Sequence, residues 1–526
     1  MHLQRTKRNI FRGLLMLLAF LVLVIIGAQW MAKDAIAGFL KNELPSRIQL
    51  DYEDIEVNVL TGSAKLKMIA LKVGTQDSLR DGTAKINALE VVGLGYWQFL
   101  VHQKITLRTL YIERPILTYG LKDKESDTTR RGKNPLGNVQ ALEVGSIKVV
   151  DGDVTLYKDQ SDSVALKLDS VNIEISDVAT DASRIVTKLP VTYSSLGFSG
   201  ASLMADLGPY ETLGVSKVEI KHGALVISDL ALKSKYSKKE LSWHLHKEHD
   251  FIDLKIPELS FENMELGYSE NKYRLRTGIA VMKGPDLELY RDKLLPGDTE
   301  RKKLYSEALR ELPIQLDIPK IEISGGHIAY SERVNTETAP GKINFAEVSA
   351  QILHVQNIPG KKVKTSVEAK ALLMNEAPIT LNWSFDTQKK SDAFLASGTV
   401  KGFNPKNLNP FLESNLRVRA RGDIQELYFT VSGDAVSSLG DMKMKYEDFE
   451  FSVLKKDRLR INKLLTAIGK VFVNDGSNTD ENGYRYGGIE AQRDPTKSFF
   501  NYLWLNVSDG LTSTIIGNGK NERRKK

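Results

Sequence analysis

Residues 379–386 read ITLNWSFD, and the reading of this stretch decides the fold class. Ile379, Leu381, Trp383 and Phe385 take every second place, separated by Thr380, Asn382, Ser384 and Asp386. A period of two puts the first set on one face of a β-strand and the second set on the other. Outward from here the alternation returns at Ile55, Val57 and Val59, and at Val171, Ile173 and Ile175. Half-buried strands of this kind suit antiparallel sheets better than a parallel α/β core, whose strands are apolar throughout. The expected fold is mainly β, an elongated antiparallel sheet with few helices.

A short motif recurs along the sheet. Residues 147–157 read IKVVDGDVTLY, 218–228 VEIKHGALVIS, 321–331 IEISGGHIAYS, 259–269 LSFENMELGYS and 110–120 LYIERPILTYG. In each, two apolar residues spaced by two flank a turn former, and two more follow it. That pattern predicts a hairpin or a sharp corner. Gly152, Gly223 and Gly326 hold the equivalent position, with Pro115 and Met264 in the weaker copies. The copies are unevenly spaced, so the repeat is degenerate.

Residues 13–30 are almost purely apolar, with Gln29 the one strongly polar side chain. At 1.5 Å per residue such a run spans roughly 27 Å, close to the hydrocarbon thickness of a bilayer. Arg5, Lys7, Arg8 and Arg12 precede it, while Lys33 and Asp34 cancel after it. The positive-inside rule then keeps residues 1–12 in the cytoplasm and sends everything after Trp30 outside. A cleaved signal peptide is the competing reading. The run is long for one, and Ala35 and Ala37 come late for a cleavage site. The expectation is a single-pass signal anchor in the inner membrane, with the bulk of the chain periplasmic.

The totals agree with an exported protein. Of 526 residues, 26% are charged, which suits a water-facing surface. There is no cysteine, so disulfides, thiolate zinc sites and cysteine nucleophiles are all excluded. The net charge of +7 gathers partly at the ends, including Lys520, Arg523, Arg524, Lys525 and Lys526. No basic, aromatic-laced face points to nucleic acid.

The remaining divisions follow composition. Residues 31–121 form an N-terminal β-region and 122–138 a polar loop; 139–455 form the repetitive sheet. A helical insertion is expected within 286–312, with a helix from Asp298, its cap, to Leu312. Residues 456–526 should hold two amphipathic helices and the basic tail. The first runs from Arg458 to Val473, with Ile461, Leu464, Leu465, Ile468 and Phe472 on its apolar side. The second follows Asp494-Pro495 and places Phe500, Leu503, Trp504, Val507 and Leu511 on one stripe. That stripe is expected either to touch a membrane or to cap the end of the sheet.

With these features assembled, the sequence resembles the AsmA-like family of bacterial envelope proteins. The resemblance rests on the anchor and the strand pair at 55–59 and 64–73. It also rests on IKVVDGDVTLY and IEISGGHIAY, and on FNPKNLNPFL (403–412), Arg421-Gly422 and GDMKMKYEDFEF (440–451). The run from Arg493-Asp494 through Lys497, Phe500 and Trp504 looks like the tail of its short branch, a domain of unknown function. The family is related to bridge-like lipid-transfer proteins. It implies a sheet curled into a groove, anchored in the inner membrane and taking phospholipid toward the outer membrane, with an outer-membrane or periplasmic protein as partner. Groove-lining candidates are Ile173, Ile175, Ile321, Ile323, Ile379, Leu381, Trp383, Phe385, Met442 and Met444. The 286–312 segment departs from the family pattern. A lipid-filled groove and a self-packed sandwich write the same alternation, and a scaffold for envelope assembly is the alternative function.

Catalytic signatures are missing: no Walker loop, GxSxG elbow, HExxH or dinucleotide fingerprint occurs. No enzyme, cofactor or metal is expected. The one suspicious cluster, from Trp243 through His244 and His246 to His249, has charged neighbours and reads as a solvated strand edge or loop rather than a zinc site.

Overall fold

The computed structural model describes residues 22, 24–38, 40–41, 48–73, 82–121, 140–158, 162–185, 187–269, 271–454 and 479–516. Most of the expected membrane span, the polar loop 122–138, the helix expected over 458–473 and both basic ends lie outside them. Among the described residues no helix is long and apolar enough to cross a membrane.

The chain is mainly β, with 59% strand and 15% helix. It divides into two compact units, Met1–Asp206 with Val215–Gly223, and Leu207–Gly214 with Ala224–Lys526. The first contains a helix, α1 (residues 24–38), then β1 (Ile48–Asp51), β2 (Asp54–Asn58), β3 (Ser63–Val73) and β4 (Gly82–Val92). After α2 (Tyr96–His102) come β5 (Lys104–Glu113), β6 (Ile116–Gly120), β7 (Ala141–Tyr157), β8 (Val164–Asp181) and β9 (Ser195–Asp206). Ile36, Ala37 and Leu40 pack on Ile55, Leu66 and Ile69. Lys33 pairs with Asp54 at 3.3 Å.

The division falls within β10 (Glu211–Lys221). The second unit holds β11 (Ala224–Ser234), α3 (Lys238–His244), β12 (Asp250–Phe261), β13 (Glu265–Ser269), β14 (Lys272–Arg276), β15 (Ile279–Lys283) and β16 (Asp286–Asp292). Then come α4 (Tyr305–Arg310), β17 (Gln315–Arg333), β18 (Gly341–Gln356), β19 (Thr365–Leu373), β20 (Ala377–Phe385) and β21 (Phe394–Phe403). It ends with α5 (Asn409–Leu416), β22 (Val418–Gly433), β23 (Ser437–Val453), β24 (Arg485–Gln492) and α6 (Phe499–Ile516). From β17 to β24 every consecutive pair is antiparallel.

The sheet is mixed, which corrects the all-antiparallel expectation. β5 and β6 run parallel to β7, and β14, β15 and β16 run parallel to β17. Alternation records which face a side chain takes and carries no record of strand direction.

The recurring motif is mostly a crease rather than a hairpin. Residues 147–157 and 321–331 each lie inside one unbroken strand, β7 and β17, where Gly152 and Gly326 sit at shifts of register. Beside each glycine a parallel neighbour is broken by proline. Arg114 N donates to Val150 O and Asp153 N to Pro115 O, both at 2.8 Å. In the second unit Gly284 N donates to Ser324 O and His327 N to Pro285 O, again both at 2.8 Å. Left-handed residues continue the crease along neighbouring strands: Met68, Arg114, Asp151, Ser170 and Ser202 in one unit, Asp229, Gly284, Gly325 and Glu347 in the other. Bulges bend strands and sharpen twist, so both units carry a fold line across their strands. Only 218–228 contains a true turn between strands, at His222-Gly223. In 259–269 the strands β12 and β13 run on in one direction across a break at left-handed Asn263, paired end to end with β15 and β14.

The 286–312 insertion also differs from expectation. Residues 286–292 form β16, 293–304 run without helix, and α4 is a short turn of helix capped at Leu304. Asp298 accepts from the Glu300 amide and pairs with Lys247 and Lys302 instead of capping a helix. A segment that joins the end of β16 to the start of parallel β17 must travel back along the strands, and extended chain covers that distance best.

Candidate functional site: an apolar face and the strap over it

Register turns the alternation of single strands into apolar rows. In the second unit one row reads Ile227, Leu259, Met282, Ile323, Ala350, Ala369, Leu381, Gly398, Phe429, Met442, one residue per strand. The next reads Leu225, Phe261, Ala280, Ile321, Ile352, Val367, Trp383, Ala396, Val431 and Gly440, ending on Ile489. Ile379 lies in a third row with Val400, Leu427 and Met444. Phe385 lies in a fourth, opposite Phe394. The candidates Ile321, Ile323, Ile379, Leu381, Trp383, Phe385, Met442 and Met444 thus share one face. The opposite face carries Glu322, Gln351, Glu368, Asn382, Ser397, Thr430 and Asp441.

The first unit repeats the arrangement. Leu66, Leu89, Ile112, Val149, Ile173 and Phe198 form one row, and Ala64, Val91, Leu110, Ile147, Ile175 and Leu196 another. Between them runs a polar row on the other face, with Lys148 paired to Glu174 at 2.9 Å. Ile173 and Ile175 are therefore side-by-side members of an apolar face. From Ile112 to Phe198 this face is half-buried, and among the described residues no buried core cluster covers it.

Coverage differs along the second unit. Over β11–β18 the two named rows are half-buried, apart from buried Ala280. Over β20–β24 the face is closed by α6 and by Leu304, which share one core with Phe385, Phe394, Val431, Met442 and Met444. The Trp383 ring stacks on Phe499 at 4.3 Å. In this structure Trp383, Phe385, Met442 and Met444 face protein.

The buried stripe of α6 is not the one the sequence suggested. Phe499, Tyr502, Asn506, Ser513 and Thr514 are buried, whereas Phe500 is 56% and Trp504 38% exposed. Leu503, Val507 and Leu511 flank the core as partly buried neighbours. The helix rests on sheet backbone, and small residues permit that approach: a Cβ on Gly487 would lie 2.6 Å from Thr514 N, and one on Gly510 2.8 Å from Met442 Cε. The most apolar stripe and the most buried stripe of the helix are therefore different. The helix also covers the free edge of β24, since Gly488 N donates to Ser513 Oγ and Glu490 N to Asp509 Oδ2. Gly510→Leu should lift α6 and cost about 1–3 kcal/mol by overpacking. A lowered thermal midpoint with faster proteolysis after Arg493 is the expected reading.

Compared with known proteins, the chain matches no family model and no curated sequence.

Residues 293–304 form a strap over the apolar face. At one end Glu248 N donates to Pro296 O at 2.7 Å, and Lys247 pairs with Asp298 at 3.1 Å and Glu300 at 2.6 Å. Farther along, Lys302 N donates to Pro495 O at 2.8 Å, and Arg493 donates to Lys302 O. Lys497 joins the two sides by pairing with Glu248 at 3.2 Å. Hydrogen bonds from Lys302, the Glu300 amide and Lys247 hold the Asp298 carboxyl below the usual carboxylate range. Its contribution to the strap is therefore present at neutral pH, and it is lost only as pH falls through that depressed value. Burial holds the Arg493 guanidinium below its ordinary range.

These ties require the sheet of the second unit to bend back. The Asp250 row meets β17 at Glu332, and the row next to Phe394 meets it at Lys320. That separation is about 40 Å along the strand, and β12 to β21 adds about 29 Å sideways if the sheet is flat. Yet Glu248, two residues before Asp250, contacts Lys497, two residues before Phe499, whose ring lies 5.2 Å from that of Phe394. The bend falls at the crease, and the strapped apolar face lies on its inner side.

The histidine cluster has a structural explanation. Ser237 and Glu240 form a capping box that starts α3, so Trp243 and His244 are helical, not on a strand. His244 stacks on Tyr236, and His249 lies 2.5 Å from Glu211. Among the described residues no histidine and carboxylate group is placed to hold a metal.

Proposed function

We propose that the protein holds the acyl chains of membrane phospholipid against this apolar face and moves them between membranes of the cell envelope. The observation that carries the reading is the uninterrupted apolar rows over β11–β18, half-exposed where a closed core would hide them. An apolar face of that extent needs an occupant, and the hydrophobic effect favours one with long hydrocarbon chains. The matching rows and crease of the first unit support a second groove of the same kind. The resemblance to AsmA-like proteins gives the setting: a signal anchor over residues 13–30 in the inner membrane, a periplasmic bulk, and an outer-membrane or periplasmic partner.

The test uses the full chain in its own membranes, with a photoreactive phenylalanine analogue at Ile352 or at Gln351. These neighbours on β18 point to opposite faces. Phospholipid adducts are expected at Ile352 and not at Gln351. Protein adducts without lipid at Ile352 would favour the envelope scaffold instead, and equal lipid labelling at both sites would remove the groove.

A further inference from the structure

We propose that the strap, residues 293–304, is a latch that closes the groove of the second unit and must release for acyl chains to enter. This rests on the lipid-binding reading above. The strap crosses the inner side of a bent sheet, tied to the wall before β12 through Lys247 and Glu248 and to the wall before α6 through Arg493 and Pro495, while the Glu248–Lys497 pair ties the two walls to each other beside it. Two of the five ties to the strap, Lys247 to Asp298 and to Glu300, are ion pairs made by a half-exposed lysine, a class of contact that stabilises little and reverses readily. The other three are single hydrogen bonds to backbone. Only Leu304 is driven deep into the apolar core.

The seam beneath the strap is imperfectly closed. Among the described residues, Trp383 Nε1 and Arg493 Nε are buried without a hydrogen-bond partner; Trp383 lies in the layer under the strap and Arg493 belongs to its tie. Each such group costs about 1–3 kcal/mol. A permanent core tends to avoid this, whereas an interface that opens tolerates it. A small cavity bordered by Leu304, Tyr305, Trp383, Phe385, Phe394 and Phe499 marks where strap, helix and sheet meet. Ion pairs hold the strap on the Lys247 side and hydrogen bonds on the Arg493 side, and rows on β11–β18 continue directly into the covered ones. An acyl chain moving along those rows meets the strap at Trp383.

The experiment reverses the latch charges in the full chain. Glu248→Lys sets two cations against each other, and Glu248→Lys with Lys497→Glu restores an opposite pair. Deuterium uptake of a peptide spanning 296–304 reports opening without any need for lipid, and the initial rate of lipid adduct formation at the Ile352 probe reports entry. The single variant is expected to exchange the strap about tenfold faster and to label several-fold faster, with the double variant returning both toward the original. Unchanged exchange in the single variant, or faster exchange with unchanged labelling, would overturn the latch and leave a brace. Absence of lipid adducts in the unaltered chain would instead overturn the lipid reading itself, which exchange alone cannot do.

Discussion

Val431→Asp is expected to unfold the second unit, whereas Ile323→Asp should leave it folded and empty its groove. Both residues sit in neighbouring rows on the same face, and both substitutions introduce the same carboxylate. The environments differ. Val431 is 0% exposed, enclosed by Ala396, Gly440 and the core beneath α6. A carboxylate there would sit among apolar side chains, and burying it costs several kcal/mol even after relaxation or protonation. Domain stability is commonly about 5–15 kcal/mol, so such a loss consumes a large part of it. Ile323 is half-buried on β17, where the carboxylate can turn to water. Its expected cost is about 1 kcal/mol, within the range of ordinary partly exposed substitutions. Thermal melts of the two variants should separate widely, while lipid labelling at Ile352 should fall sharply in Ile323→Asp despite its fold. Equal unfolding by both would mean that the face over β17 is closed core, and the groove would have no room for lipid.

Much of the sheet could be read from the sequence because a period of two survives averaging over neighbours. Once register is known, Ile379, Leu381, Trp383 and Phe385 fall where their alternation put them, as do Ile173 and Ile175. Direction was not readable, since Pro115 and Pro285 could equally end a hairpin or kink a strand. The structure makes them kinks, opposite Gly152 and Gly326. The repeated motif was visible as a pattern, but its meaning depended on a partner strand distant in sequence.

The strap was illegible for a different reason. Its ties join Lys247 to Asp298, Glu248 to Lys497 and Lys302 to Arg493, and none of these pairs shares a local period. Asp298 read as the cap of a helix running to Leu312 because helix rules weigh only nearby residues. The run from Arg493 to Lys497 stood out by resemblance alone. On α6 the expected stripe splits: Leu503, Val507 and Leu511 flank the core and Phe500 and Trp504 are exposed, while Asn506, Gly510 and Ser513 fit against backbone where bulk cannot. Burial there follows shape before hydropathy.

Gly422 offers a severe test of the closed end. It lies at a shift of register between β22 and β23, opposite Asp448, with both residues in the left-handed region. Its φ of +94° disfavours any side chain, and a Cβ there would come within 2.6 Å of Asp448 C and Phe449 Cα. Those are backbone atoms, so no rotamer change relieves the contact, and the strands themselves would have to part. Gly402 provides the control: its φ is +56°, and a Cβ there would meet nothing within 4 Å. Gly402→Ala should therefore cost about 1 kcal/mol of conformational strain, while Gly422→Ala should cost about 3 kcal/mol or more. The second loss reaches the core directly, because Phe449 is buried in the cluster that α6 covers. Urea unfolding followed in parallel for the two variants reads the difference as a shift in midpoint. If the midpoints coincide, the strands do not approach as closely as the bulge requires, and the core under α6 is looser than its burial implies.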